Sequence, residues 1–395
     1  MSKPPRSTRD IFDAGGRAIR HEGLRRANEK TVLMVVGFNS GVSNAEIARI
    51  SGLAPQTVSA ILSGLERDGL IERGQALRGK RGQPATPILL KRDGGFAIGV
   101  ELGWTHLDVL LLNMHAQVLE HRRIDFAYPD ATSIFDEIAR FVAELRASLP
   151  AEGAERLYDL GVALPGGMAD QLDRVGWSSA QSDPWRNVDV AAELRQRTAL
   201  DVSLFNDGNA ACWAELIALP KPRPANVLYF LVSHYVAAGV VGDGALWHGT
   251  TGNAANLGMM LVQLDAGGLR QVYSVASVSA LADRLKAIGK GPGNIPVSQW
   301  DWPDIQEEAD NWLGDSARAL ARTIFNATTL VEAPLVIIDS VLDPEWTQKL
   351  ARRVEAELGA LPVIDFEVPP VQIGVYGGLA PAIGAAELTL FNRYF

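Results

Sequence analysis

The 395-residue chain is 47% hydrophobic and carries 37 Lys plus Arg against 46 Asp plus Glu, a net charge of −9. That length suits a small domain plus a larger two-lobed one, and the acidic excess excludes broad nucleic-acid binding over the whole surface. No apolar run reaches the roughly 18 to 20 residues that span a bilayer, Met1 to Arg6 lack the apolar core of a signal peptide, and Cys212 is the only cysteine. A cytoplasmic protein without an internal disulfide or a thiolate zinc cluster is therefore expected, with Cys212 as a buried small hydrophobe.

Charge is unevenly distributed. Residues 1–92 hold sixteen Lys plus Arg against eight Asp plus Glu, net +8, which leaves −17 for the remainder. Within this basic part, Asn28 is placed to cap a helix carrying Val32, Leu33, Val35 and Val36. Ser43 and Glu46 form a capping box for a second helix with Ile47 and Ile50 on its apolar side, and Ser51-Gly52-Leu53 supplies a tight turn. A third helix begins with Pro55 in its first turn, repeats Val58, Ile61, Leu62 and Leu65 at i, i+3, i+4 and i+7, and ends at Gly69.

The opposite face of that third helix bears Gln56, Thr57, Ser59 and Ser63, short polar groups suited to base edges or phosphates in a major groove; Ser43 joins them as a candidate contact. Leu70 to Arg73 and Pro87 to Leu90 read as two strands around a basic loop with Arg78, Lys80, Arg81 and Gln83, making the unit a winged helix-turn-helix. The loop is either a slim wing that enters a minor groove or a solvated linker. Confining the basic charge here makes double-stranded DNA the expected partner, bound with strong salt dependence.

Beyond Asp93 strands alternate with helices. Phe96 to Leu102 and Leu107 to Leu112 flank a Gly103-Trp104-Thr105 turn, Leu160 to Leu164 ends in Pro165-Gly166-Gly167, and Val202 to Phe205 runs into Asn206-Asp207-Gly208-Asn209-Ala210-Ala211 and a helix. Lys221-Pro222-Arg223-Pro224 marks a loop. A carboxylate between amides at a strand end suits a sugar hydroxyl or a general base, and equally an ordinary capping Asp.

This order of motifs, closed by Gly377-Gly378-Leu379-Ala380-Pro381-Ala382-Ile383-Gly384, resembles the ROK family of repressors, open reading frames and kinases over nearly the whole chain. The resemblance implies an α/β fold in which the winged helix-turn-helix of residues 1–92 precedes a two-lobed, actin- and hexokinase-like (ribonuclease H-like) domain at 93–395. Its lobes are expected at about 93–215 and 216–380, with a C-terminal helix at 380–392. It also implies a sugar held between the lobes by Gly166, Gly167, Asn206, Asp207 and Asn256.

The kinase side of the resemblance is eroded. Ser233-His234-Tyr235-Val236-Ala237-Ala238-Gly239-Val240 stands where the family's kinases have a glycine-rich phosphate turn, and Trp104 replaces a glycine of the first phosphate turn. Glu101 occupies the place of a metal-positioning aspartate, and Ile337 to Val341 lacks glycine while adding Asp339 where nucleotide is expected. Met259 stands in place of the family's zinc-ligating histidine, and Gly267 to Ser277 contains no cysteine, so no metal and no cofactor are expected. Tyr273 falls near the glutamate that closes the sugar site in other members.

The expectation is a non-enzymatic transcriptional regulator, a repressor of carbohydrate-related genes, whose ROK domain senses a sugar or sugar derivative and assembles as a homodimer or dimer of dimers on an inverted repeat. Asp207 is then a vestigial base position, kept for ligand or only for folding. Two alternatives stand beside it: an active sugar kinase with an appended DNA-binding module, and a ligand-independent DNA-binding scaffold.

Overall fold

The structure is a computed structural model and describes residues 21–75, 86–169, 172, 178–264, 268–293, 295–362 and 367–395. Helix α1 (His21–Phe38) buries Val32, Leu33, Val35 and Val36. Asn28 does not cap it but lies inside it, because Leu24 to Ala27 are good helix formers and the Arg25 to Glu29 ion pair, at 2.9 Å, spans the expected start. Helix α2 (Asn44–Ser51) has the expected capping box, with Ser43 N–H donating to Glu46 at 2.8 Å and Glu46 N–H to the Ser43 hydroxyl at 3.4 Å. Its buried residues are Ile47 and Ala48, whereas Ile50 is 45% exposed. The buried side is centred on Ile47 and Ala48, with Ser51 half-buried one turn on, and Ile50 falls on the flank away from Ala48 and faces solvent.

Helix α3 (Pro55–Arg67) buries Val58, Ile61, Leu62 and Leu65 as the spacing requires. It closes through Gly69, whose φ of +71° lets Leu70 N–H return to the Leu65 carbonyl at 2.9 Å. Strands β1 (Ile71–Arg73) and β2 (Ile88–Leu90) pair antiparallel, Ile71 opposite Leu90. The wing residues Arg78, Lys80, Arg81 and Gln83 lie outside the described residues.

The rest of the described chain is built on two five-stranded sheets of one topology, with flanking helices and a two-stranded ribbon of Leu261–Gln263 and Leu269–Gln271. In the first, β3 (Phe96–Leu102), β4 (His106–Asn113) and β5 (Val118–Asp125) form an antiparallel meander, and β6 (Leu157–Leu164) and β7 (Asp201–Asn206) add in parallel to β3. In the second, β8 (Val227–Val232), β9 (Val236–Gly242) and β10 (Ala245–Leu246) repeat the meander, and β11 (Val336–Ser340) and β12 (Val371–Ile373) repeat the parallel addition. This duplication is the two-lobed ribonuclease H-like arrangement.

Two helices join the lobes. Helix α4 (Asp207–Ala218) starts at the end of β7 and packs on β8 and β9, and helix α5 (Ala380–Tyr394) crosses it and lies on β3, β4 and β6. Gly384 permits the crossing, since a Cβ there would overlap the Ala210 carbonyl oxygen. Cys212 is fully buried in this layer, and burial pushes its thiol up, so it packs as a hydrophobe.

The end of α5 also reaches the winged-helix module. Tyr394 and Phe395 pack against that module's core, Phe395 meets Phe38 edge-on at 6.2 Å, and Lys30 donates to the Asn392 carbonyl at 2.8 Å. From the first lobe, Arg156 donates to the Asp68 and Gly94 carbonyls, each at 3.1 Å. Among the described residues no helix is long and apolar enough to cross a membrane.

Candidate functional site

The residues expected at two sites, apart from Arg78, Lys80, Arg81 and Gln83 of the wing, fall in two separate parts of the fold. On α3 the exposed side carries Gln56, Thr57, Ser59 and Ser63, opposite the four buried residues. Ser59 donates to the Pro55 carbonyl at 3.0 Å and accepts from Asn44 Nδ2 at 2.7 Å, and Ser63 donates to the Ser59 carbonyl at 3.0 Å. Their hydroxyls are thus already engaged at the helix surface, and Gln56 and Thr57 are the less committed pair. Ser43 spends its side chain on Glu46, as the cap requires. Asn44, which tethers α2 to α3, carried no sequence signal beyond its place after the cap.

The second site lies where β7 passes into α4. Asn206 is the N-cap and accepts from Asn209 N–H at 3.1 Å, while its amide donates to Asp207 Oδ1 at 2.9 Å; Gly208 N–H donates to the same oxygen at 2.9 Å. Burial raises the Asp207 carboxyl, the Gly208 N–H opposes this and the Glu101 charge adds to it, for a pKa of about 6. Gly166, Asn206, Asp207 and Asn256 line one cavity of about 50 Å³. Gly167 is not in that lining; its φ of +67° makes the turn that brings Gly166 there.

Aromatic rings close this cavity. Trp104, buried at the turn after β3, meets Tyr235 edge-on at 5.1 Å, and Tyr235 in turn meets His234 at 5.0 Å and Tyr273 at 5.6 Å. The remaining space holds a few water molecules, not a sugar ring. Immediately beside it opens a cleft of about 710 Å³ to which Glu101, His106, Arg123, Asp207, His234 and Trp300 contribute.

Charge in that cleft is organised around β3 and β4. His106 Nε2 lies 3.4 Å from Glu101 and 3.5 Å from Asp108, and Asp108 is also bonded by His121 at 2.6 Å and Arg123 at 2.7 Å. Burial pulls the His106 pKa down, but Glu101 and Asp108 carry it above its ordinary value overall. His234 moves the other way, to about 4, through burial and the charge of His106. Glu101, His106 and Asp108 are the one group among the described residues with three potential metal-ligand atoms within 4.8 Å of one another. Asp108 is held by His121 and Arg123 in addition to His106, while Glu101 Oε2 is buried with no hydrogen-bond partner among the described residues.

Asp339 departs from the expectation. It does not face the cleft but is buried beneath it, accepting from the Tyr229 hydroxyl at 3.1 Å, and burial with the neighbouring Glu215 pushes it up to about 8. Ser340 and Val341 line the cleft instead. Met259 is 40% exposed and its sulfur accepts from Gln271 Nε2 at 3.7 Å. The sequence reading missed Asn253, whose Oδ1 lies 3.5 Å from Asn206 Nδ2 and abuts Gly166; its only signal is a Gly- and Thr-rich turn.

The ROK family matches over residues 97–391, most of the chain. The chain belongs to the ROK family. Residues 22–82, ahead of the ROK domain, match the MarR family. The xylose repressor of Bacillus spizizenii is 22% identical over 399 residues, covering 93% of this chain and 96% of that protein. The DNA-binding transcriptional repressor Mlc of Escherichia coli is 20% identical, covering 62% of this chain and 60% of that protein. Among solved structures, a ROK family transcriptional regulator described as a homolog of the Escherichia coli MLC protein superposes with a TM-score of 0.69 at 20% identity, over 93% of this chain and 97% of that one. A ROK family glucokinase from Streptomyces griseus, in complex with glucose and AMPPNP, gives 0.57 at 20% identity, over 74% of this chain and 99% of the kinase. The fold of the ROK domain is therefore common to regulators and kinases, and the residues of the cleft have to separate the two.

Proposed function

We propose that this chain is a DNA-binding transcriptional repressor of carbohydrate-related genes, in which the ROK domain senses a sugar or sugar derivative and carries out no phosphoryl transfer. The observation that carries the reading is the joining of a winged helix with an exposed polar reading face to a kinase-like cleft whose phosphate turns are occupied by Trp104 and Tyr235. Phosphoryl transfer relies on glycine-rich backbone held close to the phosphates and on a carboxylate that reaches the attacking hydroxyl. Here the carboxylate remains at Asp207, and indole and phenol rings stand over it.

DNA contacts are assigned to Gln56, Thr57, Ser59 and Ser63, with Ser43 shaping the turn and Arg78, Lys80, Arg81 and Gln83 supplying the wing. The effector occupies the open cleft and reaches Asp207, Asn206, Asn256, Gly166 and Gly167 as Trp104 and Tyr235 shift aside. Helix α4 starts at Asp207 and packs along α5, whose end sits on the winged helix, so a ligand that favours one lobe arrangement biases the module's position by its difference in affinity for the two. A homodimer or dimer of dimers on an inverted repeat suits a module that covers few base pairs.

Purified protein should yield no sugar phosphate from ATP across a hexose and pentose panel, and should bind discrete genomic sites beside carbohydrate genes. Turnover that disappears in Asp207→Asn would overturn the reading. Site-specific DNA binding with no sugar-induced thermal shift across the panel would leave a scaffold rather than a sensor.

A further inference from the structure

Between the winged-helix module and the ROK domain lies a cavity of about 480 Å³, walled by Phe38, Leu90, Trp213, Ile217, Phe391 and Phe395. It shares no lining residue with the Asp207 cleft or its small annex. Its size falls within the roughly 300–1,000 Å³ of small-molecule sites, and its walls are apolar and aromatic as such sites are.

Of the polar groups in these walls, two are buried without a hydrogen-bond partner among the described residues. Glu387 on α5 is 5% exposed with both carboxyl oxygens lacking a hydrogen bond, and the indole N–H of Trp213 on α4 lacks an acceptor. Arg223 lines the same cavity but is engaged elsewhere: its guanidinium donates to the Leu216 and Ile217 carbonyls and lies 5.8 Å from the Phe38 ring. Native interiors leave few buried polar groups unbonded, and each one asks for an explanation. A ligand-sized cavity lined by both of these residues supplies one.

We propose that this cavity is a second small-molecule site, for a flat, mainly apolar compound bearing a hydrogen-bond donor beside an acceptor, as in an aromatic carboxamide or lactam, which pairs with the Glu387 carboxyl. Burial lifts Glu387 well above the ordinary carboxylate range, with Glu215 adding to this and Arg223 opposing it, which favours the neutral carboxyl. A protonated carboxyl offers one donor and one acceptor side by side, which an amide or lactam matches in both places. Arg223 and the exposed Lys221 at the cavity outnumber the exposed Glu72 there and disfavour a cationic ligand. An aromatic ring suits the edges and faces that Phe38, Trp213 and Phe391 present. The compound would touch α1 and β2 on one side and α4 and α5 on the other, so its occupancy fixes the docking of the winged-helix module on the ROK domain.

The test is titration calorimetry of the full chain with benzamide, 2-quinolinone and, as the cationic counterpart, benzylamine. Benzamide and 2-quinolinone should bind more tightly than benzylamine. Glu387→Gln, which retains a donor beside an acceptor, should bind them as wild type does, and Glu387→Leu should weaken them by about tenfold or more. Leu90→Trp, which fills the cavity from the opposite wall, should abolish binding and covers the case in which Glu387→Leu does not fold. Asp207→Asn should leave these titrations unchanged, which separates this site from the effector cleft. Absence of binding at millimolar probe, equal binding by Leu90→Trp, or tighter binding of benzylamine would overturn the proposal.

Discussion

The winged helix and the ROK cleft use the same local devices to opposite ends. At Ser43 a capping box starts α2, and a glycine at positive φ ends it. At Asn206 another N-cap starts α4, beside a glycine turn. In the first region the devices present an exposed polar face on a conventional core. In the second, the same geometry points a carboxylate into a space that Trp104 and Tyr235 have narrowed to about 50 Å³. A frame can therefore persist while bulky residues placed upon it change what it admits.

That contrast can be broken most forcefully at Trp104. Trp104→Ala removes a buried ring and should cost about 3–5 kcal/mol of stability. It should also merge the small cavity with the open cleft, so that a hexose stabilises the variant in a thermal melt more than it does the wild type. A melt of the variant that ignores sugars would show that the indole is not what excludes them. Next in size is Leu62→Ala in α3, expected to cost about 2–5 kcal/mol and to be felt first by the winged helix. Far-ultraviolet and Trp-fluorescence denaturation curves should then separate, since the described part of the winged-helix module contains no tryptophan.

Gln56→Ala or Thr57→Ala should lose about 1–3 kcal/mol of discrimination at one base position while leaving the melting temperature unchanged, whereas Arg81→Ala should weaken all sites alike and lower the salt slope by about 1. Competition binding against single-base variants of a mapped site reads both effects. The smallest effect is expected at Asp207, and its sign depends on pH. The folded pKa of about 6 lies above the ordinary 3.8, so the native state binds the proton more tightly and loses stability as pH rises between those values. Asp207→Asn removes that loss and should gain about 1–2 kcal/mol at pH 7, a figure discounted for partial exposure, and nothing near pH 4. Urea unfolding at the two pH values decides; equal effects at both would mean the carboxyl is not desolvated.

Most of the winged helix was legible because its signals are local. Caps, a glycine at the turn and a four-residue stripe each act within one or two turns, so Val58, Ile61, Leu62 and Leu65 were placed without tertiary knowledge. The errors lay where locality fails: Ile50 matched the helical period but the short helix leans toward Ala48, and Asn28 had cap chemistry inside a continuous helix. Strand β5 went unread because Val118 to Asp125 is largely charged and lies at a sheet edge. In the cleft, Asn206 and Asp207 were visible as a motif, and Trp104 and Tyr235 as bulky replacements. Their meeting at 5.1 Å, the burial of Asp339 under the sheet and the approach of Asn253 depend on chain segments far apart in sequence.

The packing of Tyr394 and Phe395 against the winged helix has a consequence for how the molecule is made. During synthesis the three helices emerge early, yet Lys30 waits for Asn392, 362 residues later, before its own bond can form. Until then Phe38 lacks its edge contact with Phe395. The nascent module can gather its helices, but a chain interrupted before α5 would carry the winged helix without the Asn392 and Phe395 contacts that help seat it on the ROK domain. The seating of the winged helix on the ROK domain is thus among the last contacts that translation makes possible.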